Sequence, residues 1–335
     1  MVERPNKPKL VPLSPTTATP QPIVSFSDDN SRVTAELPSG ESVTVLLYGA
    51  TVISWKDAEG QEKLWLSEAA KLDGSKAVRG GIPLVFPVFG PPSPDHAQTA
   101  KLVQHGFART SRWEFLGKST SESAAGAASV KLDFGLSSAA EGLDPAAREA
   151  WPFKFSLIYS VTLCPGSLTT AIVATNDDDK PFDCHALFHT YLRVDDISSV
   201  SISGLDGAAY IDKLSPSDPN KTESSSSVTI TGETDRVYTP TSNEITVLQG
   251  DKPIFRITRD NLTNVVVWNP WTEKAASMGD FAPKDGYKNM LVLNPGRWGL
   301  GRLLSRGMRL RGRKLLAWLG RDVCVLGVMR EVIGA

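Results

Sequence analysis

Short apolar segments separated by turn residues constrain the fold of this chain more than any other feature. Apolar and polar residues alternate from Val33 to Leu37 and again from Val43 to Leu47, with Pro-Ser-Gly at residues 38–40 between them. A period of two places one face of each segment in a core, and such a break between two segments is typical of a β-hairpin.

Segments of the same kind recur along most of the chain, whereas helical periodicity is weak. Only Ser67–Leu72 and Pro145–Glu149 have the spacing of a helical turn or two. Many short strands and few helices predict an all-β fold, a β-sandwich or barrel, without strand–helix–strand units. The further predicted strands lie within Val52–Lys56, Leu64–Leu66, Trp113–Leu116, Val130–Phe134, Phe153–Leu163, Leu168–Asn176, Phe182–Val194, Val228–Ile230, Glu244–Gln249, Ile254–Arg259 and Asn264–Trp268.

The composition excludes several classes of partner. The 335 residues are 41% hydrophobic and 22% charged, with a formal net charge of -1, so no general affinity for nucleic acid is expected. No segment approaches the roughly 20 apolar residues of a membrane span, and neither a GxGxxG fingerprint nor a P-loop is present. We therefore predict a monomer that binds a small molecule, with no nucleic acid and no membrane as partners.

The cysteines and the N-terminal segment indicate a reducing compartment. Cys164, Cys184 and Cys324 are too few and too scattered for a disulfide framework or a zinc site, so we predict a cytoplasmic protein. Residues 1–22 contain six prolines and no apolar run, unlike a secretory signal. We predict a disordered tail over residues 1–22 and order from about Ile23.

The first candidate site residue is Arg79, which precedes Gly80 and Gly81. Paired glycines allow the backbone to approach a ligand closely, and an arginine beside them can present its planar fork to a phosphate. An isolated Arg-Gly-Gly is nevertheless more often a turn on the surface.

A second candidate is the segment from Gln104 to Arg109, which also contains His105 and Gly106. Residues five apart in a regular strand face opposite sides, so Gln104 and Arg109 converge only if the chain bends, and Gly106 can supply the bend. Read alone, the segment is equally consistent with a recognition site and with a loop of incidental charge.

Histidine 189 is the candidate acid or base. His189 lies in an apolar, aromatic segment, where a histidine is more often a core residue bonded to backbone, yet a partly buried histidine is also the usual proton donor near neutral pH. His185 lies four residues earlier and shares its face if the strand is regular. No carboxylate or cysteine completes a ligand set with these two, so we predict no metal.

Asp235 is the remaining candidate, within Thr234-Asp235-Arg236-Val237-Tyr238. Its carboxylate can accept hydrogen bonds from sugar hydroxyls. On this segment alone, a solvated loop with an Asp–Arg pair explains the sequence better.

Taken together and in order, five segments resemble the hexose-6-phosphate 1-epimerases, a branch of the aldose 1-epimerase family. The resemblance covers about residues 23–291, and five weak motifs at family-like spacing make a strong one. The segments are R-G-G-I-P-L-V-F-P-V-F-G from Arg79, Q-H-G-F-A-R-T-S-R-W-E-F from Gln104, L-F-H-T-Y-L-R-V from Leu187, T-D-R-V-Y from Thr234 and V-V-V-W-N-P-W from Val265.

The resemblance implies a large antiparallel β-sandwich of the galactose mutarotase type, with the sugar bound in a cleft. It implies that Arg79, Gln104 and Arg109 recognise a hexose 6-phosphate, with the arginines on the phosphate, and that Asp235 binds a hydroxyl. It makes His189 the general acid that protonates the ring oxygen, with His105 in the same pocket. Interconversion of the α and β anomers requires acid and base but no cofactor.

The pattern breaks where the family has its base, a glutamate in a Cys-Val-Glu-Pro-Gly segment after Gly-Tyr-Lys-Asn-Met. Here Gly286–Met290 is intact, but Val292-Leu293-Asn294-Pro295 follows, and an asparagine cannot take a proton at neutral pH. Codons such as TGT GTT GAA CCC G, read one base later, give Val-Leu-Asn-Pro. The sequence therefore suggests a change of reading frame or a splicing error.

The C-terminal segment differs from the rest of the chain. From Arg297 onward it has eight arginines and one lysine against one aspartate and one glutamate. We interpret residues 23–291 as the sandwich and 292–335 as an atypical basic tail. We expect the tail to pack poorly from Arg297, because its leucines and tryptophans lack alternation, and the family's closing tryptophan-containing strand to be absent. The alternatives are a genuine basic extension and a helix over Leu300–Leu319 that binds an acidic surface or membrane.

Three functions follow from the sequence. The first is a hexose-6-phosphate 1-epimerase, with activity limited by the loss of the glutamate at position 294. The second is a catalytically silent sugar-phosphate-binding protein that kept the arginines and His189. The third, a β-sandwich glycoside hydrolase, needs two facing carboxylates, and no convincing pair is present.

Overall fold

The computed structural model describes residues 20–122, 127–297 and 304–319. The predictions for residues 1–19, 298–303 and 320–335, including Cys324, lie outside these residues. The strands in chain order are β1 Ile23–Phe26, β2 Arg32–Glu36, β3 Ser42–Leu46, β4 Thr51–Lys56, β5 Leu84–Val85, β6 Glu114–Glu122, β7 Ala128–Ser137, β8 Phe155–Cys164, β9 Ser167–Asn176, β10 Ala186–Phe188, β11 Tyr191–Arg193, β12 Val200–Ser203, β13 Ala209–Asp212, β14 Asn220–Thr222, β15 Ser227–Thr229, β16 Thr234–Thr239, β17 Glu244–Gln249, β18 Lys252–Asp260, β19 Asn264–Asn269, β20 Met290–Arg297 and β21 Arg309–Trp318.

The predicted all-β fold is confirmed, and every strand pair is antiparallel. The first four strands form one small sheet in sequence order. Its central hairpin is the one that the sequence predicts, because Val33 pairs with Val45 across the turn at Gly40.

Two larger sheets make up the sandwich. One has the order β14-β13-β16-β19-β20-β10-β5, with β11 also paired to β20. The other has the order β15-β12-β17-β18-β21-β9-β8-β7-β6. Inward residues alternate along the longest strands, as in β8, where Phe155, Leu157 and Tyr159 are buried. Their side chains form one continuous core with those of the facing sheet.

Helices are few in the described part of the chain. The predicted helical turn at Pro145–Glu149 is present as α1, Pro145–Ala150, whereas Ser67–Leu72 forms turns. A second helix, α2, spans Trp271–Ser277 and was not predicted. Within residues 20–122, 127–297 and 304–319, no helix is long and apolar enough to cross a bilayer.

The expectation that the tail packs poorly is wrong for residues 309–318. Strand β21 lies inside the nine-stranded sheet, paired with β18 on one side and β9 on the other. The alternation that the leucines lack is supplied by Arg309, Arg311 and Arg313, which are exposed at every second position while the residues between them turn inward. A charged residue at every second position marks a strand as clearly as an apolar one does.

A tryptophan-containing closing strand is also present, contrary to expectation. β21 ends at Trp318, whose ring lies 5.1 Å from that of Phe255. The ammonium of Lys63 lies 3.7 Å from the centroid of the Trp318 ring. Strand β20 likewise continues through position 291 to Arg297, so the sheet pairing runs into the segment that the sequence sets apart.

One inward residue of β21 does not suit a core. Lys314 is fully buried, and its ammonium donates a hydrogen bond to Thr190 Oγ1 at 2.5 Å and lies 5.3 Å from the Phe188 ring. Among the described residues no carboxylate pairs with it. Burial lowers the pKa of Lys314 well below its ordinary value, because the charged form has lost its water.

Candidate functional site

The register of the eight-stranded sheet places several polar and aromatic side chains on one face. Asp235 pairs with Trp268, Trp268 with Val292, and Val292 with Tyr191, so these four side chains form a row across four strands. Residues directly opposite in neighbouring strands project from the same face, which we call the cleft face.

Arg79 lies at one end of this row. Its guanidinium is 3.1 Å from a carboxylate oxygen of Asp280 and donates a hydrogen bond to the hydroxyl of Tyr191 at 3.2 Å. The Tyr191 oxygen raises the pKa of Arg79, against the opposite effect of burial, and Asp280 adds to the rise. The Arg79 side chain is therefore held in a fixed orientation and stays charged.

The glycines after Arg79 are required by a close backbone approach. Gly81 has φ of +65°, and a Cβ there would lie 2.1 Å from the carbonyl oxygen of Val52. Only glycine allows this approach to strand β4, which fixes the position from which Arg79 projects.

The bend predicted between Gln104 and Arg109 is present. His105 and Gly106 both have positive φ, +68° and +67°, and a Cβ on Gly106 would lie 2.2 Å from the Phe86 carbonyl oxygen. A single turn of 3-10 helix, Ala108–Thr110, then brings Arg109 back. Arg109 Nη2 donates to the main-chain carbonyl of Gln104 at 3.0 Å, while the rest of Gln104 is exposed.

Arg109 differs from Arg79 in its surroundings. No carboxylate within the described ranges forms an ion pair with it, and its Nε is buried without a hydrogen-bond partner there. Burial lowers the pKa of Arg109 to about 10, and repulsion from Arg79 contributes to this, so the two guanidinium groups are close enough to interact. A cation with an unmatched buried donor is suited to an anionic ligand.

His105 and His189 lie side by side between these cations. Their ring centroids are 5.7 Å apart with the rings nearly perpendicular, and the His189 ring stacks on that of Tyr191 at 4.8 Å. His105 Nδ1 accepts a hydrogen bond from the backbone N–H of Gly90, so its proton is on Nε2. Burial, reinforced by Arg109 and other nearby cations, lowers the pKa of His105 to about 3.

His189, like Arg109, has a buried nitrogen that makes no hydrogen bond in the described part of the chain. Its Nδ1 is buried with no hydrogen-bond partner among the residues described, although the side chain as a whole keeps partial exposure. Burial lowers the pKa of His189 well below its ordinary value, and the charges of His105, Arg109 and Arg79 add to the effect. The imidazole is therefore neutral.

Asp235 lies at the other end of the row. One of its carboxylate oxygens is 3.6 Å from the ammonium of Lys213, which in turn lies 4.4 Å from the ring centroid of Phe89. The Phe89 ring is 5.4 Å from that of His105, so a continuous chain of contacts joins Asp235 to the histidines. Burial raises the pKa of Asp235, while Lys213 opposes the rise.

Asn294 also belongs to the cleft face, because it pairs with Val266 and Val266 pairs with Val237, in the row next to Asp235. Its Oδ1 accepts a hydrogen bond from the backbone N–H of Thr190 at 2.7 Å, directly after His189. Its Nδ2 is buried without a partner in the described part of the chain. A longer acidic side chain at this position would emerge beside His189.

The structure thus places Arg79, Arg109, His189 and Asp235 around one cleft face, with Gln104 at its rim. His185 lines a different cavity, and its Nδ1 accepts a hydrogen bond from the backbone N–H of Phe89. Sequence reasoning missed Asp280 and Lys213. Only the fold brings them to Arg79 and Asp235, and neither has a motif of its own.

A cavity of about 900 Å³ lies beyond Phe89 and His185. Its wall includes Arg297 and Leu304, which border residues 298–303, outside the described structure. We therefore assign no ligand to it.

The chain is similar to known proteins over most of its length. Residues 31–315 match the model of the aldose 1-epimerase family. A protein of Cenchrus ciliaris with the provisional name glucose-6-phosphate 1-epimerase is 35% identical over 284 residues, 84% of this chain and 82% of that protein. A protein of Escherichia coli with the same provisional name is 34% identical, over 74% of this chain and 76% of that protein.

Solved structures show the same architecture. A protein of Salmonella typhimurium described as a provisional mutarotase superposes with a TM-score of 0.72 at 26% identity, covering 86% of this chain and 90% of that one. A galactose mutarotase related enzyme from Lactobacillus acidophilus, 16% identical, shares the fold with a TM-score of 0.64 over 84% and 96% of the two chains.

The β-sandwich fold, the family match and the similarity to a provisional mutarotase place the chain in the mutarotase class of isomerases. The chain belongs to the aldose 1-epimerase family.

Proposed function

We propose that this protein acts on hexose 6-phosphates, with glucose 6-phosphate as the first candidate, and interconverts their α and β anomers by opening the ring. The observation that carries the proposal is that Arg109, which has no ion pair among the described residues, lies within electrostatic reach of the ion-paired Arg79 and of the neutral His189. The names of the relatives from Cenchrus ciliaris and Escherichia coli support the same substrate class.

The two arginines suit the phosphate group. Arg109 offers an unmatched charge and a free Nε–H, and Arg79 offers a guanidinium already oriented by Asp280 and Tyr191. A phosphate dianion at this point would compensate both charges. Gln104 at the rim and Asp235 at the far end would then bind hydroxyl groups of the sugar.

His189 would act as the general acid. In ring opening, a base removes the proton of the anomeric hydroxyl, the C1–O5 electron pair goes to O5, and the acid delivers a proton to O5. Closure on the other face of the resulting aldehyde gives the opposite anomer. The pKa of His189 is lowered in part by Arg79 and Arg109, so a bound phosphate that neutralises them would raise it.

The base is the missing part. Asn294 occupies the position on the cleft face next to His189, and an amide cannot take the hydroxyl proton at neutral pH. We therefore expect the chain to bind the sugar phosphate but to accelerate anomer exchange very little. When one member of an acid–base pair is lost, most of the joint effect is lost with it.

A second function is favoured by one observation. Because Asn294 fills the base position and bonds to the backbone at Thr190, the chain is also consistent with a sugar-phosphate-binding protein that performs no chemistry. Binding and exchange must therefore be measured separately.

Calorimetric titration with glucose 6-phosphate, glucose and inorganic phosphate tests the binding part. We expect glucose 6-phosphate to bind more tightly than either fragment. Arg109→Ala should weaken its binding about 10- to 100-fold, because hydrogen bonds to charged groups contribute about 1.5–3 kcal/mol. Exchange NMR of the α and β anomers on the same samples measures the chemistry.

Arg112→Ala is the matched control. Arg112 lies three residues further on and donates to the Asn30 carbonyl at the surface, so its loss should leave binding unchanged. If both variants bind like the unmodified chain, the phosphate assignment is wrong. The proposal also takes the cytosol as the compartment and a monomer as the working form. Light scattering of the purified protein checks the oligomeric state.

A further inference from the structure

The cleft contains a third cation that the catalytic scheme does not use. Lys213 follows the last residue of β13, and its backbone N–H donates to the carbonyl of Asp235 at 3.0 Å. Its ammonium is 3.6 Å from the Asp235 carboxylate, and its side chain is about one-third exposed. Lys213 is thus attached to β16 through both backbone and side chain.

Lys213 also closes the cleft laterally. The ammonium lies over the Phe89 ring at 4.4 Å, and Phe89 contacts His105 at 5.4 Å. A cation over an aromatic face is attracted by the ring, so the side chain has two reasons to stay where it is. Its charge contributes to the lowered pKa of His105, which places it within electrostatic reach of the histidine pair.

Asp235 needs such a partner to serve as an acceptor. Burial and the neighbouring Asp212 raise its pKa, whereas Lys213 and, more weakly, Lys274 lower it. Asp212 is itself engaged by Lys221 at 3.6 Å and Arg236 at 3.9 Å. Lys213 is therefore the one cation in the described part of the chain that forms an ion pair with Asp235.

We infer that Lys213 is a positioning residue that sets specificity at the sugar end of the cleft. It holds Asp235 ionised and turned toward the cleft face, so that the carboxylate accepts a hydroxyl hydrogen of the sugar while the arginines hold the phosphate. The inference rests on the proposed function, since it assigns the sugar end of the same cleft.

Removing the Lys213 charge should weaken the binding of glucose 6-phosphate but not that of inorganic phosphate. A general loss of structure would weaken both. Lys213→Met keeps the stem over Phe89 but removes the charge. It should weaken glucose 6-phosphate binding about tenfold, roughly the value of one weakened charge-assisted hydrogen bond, and leave inorganic phosphate binding within about twofold. Lys213→Arg, which restores the charge, should recover glucose 6-phosphate binding to within about threefold.

Lys221→Met is the matched control, because Lys221 also lies 3.6 Å from an aspartate and is about equally exposed, but on the neighbouring Asp212. It should bind both ligands like the unmodified protein, and thermal unfolding should be the same for all four proteins. Calorimetry at one pH and one salt concentration supplies every value.

The outcomes separate the two claims. Glucose 6-phosphate binding unchanged in Lys213→Met overturns the role of Lys213 and leaves the proposed function standing. Equal loss of glucose 6-phosphate and inorganic phosphate makes Lys213 a general anion attractant and also overturns it. If the unmodified protein binds glucose 6-phosphate no better than inorganic phosphate, the proposed function fails, and the inference fails with it.

Discussion

The cleft face and strand β21 differ in how their buried charged groups are compensated. On the cleft face Arg79 is matched by Asp280, and Asp235 by Lys213. In β21, Lys314 is buried with the Thr190 hydroxyl as its hydrogen-bond partner and with no carboxylate partner in the described residues. The ion pairs compensate the charges of Arg79 and Asp235, whereas the charge of Lys314 is met only by a hydroxyl. Arg109 and His189 on the cleft face also keep a buried nitrogen without a hydrogen bond among the described residues.

The contrast shows that backbone fit and side-chain fit have separate causes. β21 forms because arginines at every second position satisfy the outward face of a strand, whatever the inward face contains. A chain read in a shifted frame can keep such a pattern by chance, while an inward position receives a residue unsuited to the core, as Lys314 is. We therefore retain the reading-frame proposal, and sequencing the transcript across the codons for residues 287–297 tests it directly.

The largest expected effect is a gain of activity. Asn294→Glu places a carboxylate on the cleft face beside His189, where it can take the anomeric proton. We expect the rate of anomer exchange of glucose 6-phosphate, measured by exchange NMR, to rise about 10²–10⁴-fold.

Asn294→Gln is the control, since it has the same length and no basic oxygen. It should leave the rate near that of the unmodified chain. An unmodified chain already as active as Asn294→Glu would show that another carboxylate is the base, and Asp235→Asn would then be the next variant to assay.

The next-largest effects concern two buried lysines. Substituting them should change the free energy of unfolding in opposite directions. Lys63 is buried beside Asp57, with 2.5 Å between Nζ and the carboxylate, whereas Lys314 has no carboxylate partner in the described part of the chain. Lys63→Leu should lower the free energy of unfolding by about 3–5 kcal/mol because it strands a buried carboxylate. Lys314→Leu should raise it by about 1–3 kcal/mol because an unpaired buried amine is replaced by an apolar group.

Urea unfolding of the two variants gives both values. A loss of stability in Lys314→Leu similar to that in Lys63→Leu would mean that Lys314 has a stabilising partner. The proposed difference between the two regions would then disappear.

The sequence predicts the strand content and the central hairpin because both depend on local alternation. It also indicates that Gln104 and Arg109, an odd number of residues apart, converge only if the chain bends, and that Gly106 can supply the bend. It does not predict Asp280 or Lys213, since their contacts with Arg79 and Asp235 depend on how distant segments come together. The strand at residues 309–318 is not predicted by apolar periodicity, because arginines carry its alternation.

A change of pH should have a smaller effect on the free energy of unfolding. The pKa values of His105 and His189 are lowered by burial, so the folded protein binds fewer protons than the unfolded chain below the ordinary histidine value. Their contribution to stability is complete above about pH 6.5 and is lost as the pH falls, by at most about 1.4 kcal/mol per pH unit for each histidine.

Urea midpoints at pH 7 and pH 5 measure this loss. His105→Asn should reduce the difference between them, because asparagine tolerates the positive φ at this position and does not titrate. An unchanged difference would mean that His105 is protonated equally in both states.

The smallest expected effect is that of Arg311→Ala, which is compared with Leu316→Ala to test whether β21 forms as described. Arg311 projects outward from the strand and Leu316 inward, within the same ten residues. Arg311→Ala should change the free energy of unfolding by less than about 0.5 kcal/mol, as at most surface positions, whereas Leu316→Ala should lower it by about 2–5 kcal/mol. Urea unfolding distinguishes the two.

If both substitutions are equally neutral, residues 309–318 do not form part of the core, and the tail is then the poorly packed segment that its composition suggested. A large loss from Leu316→Ala alone would establish that the strand is built into the sandwich, so that the mismatch in this strand is confined to the side chain of Lys314.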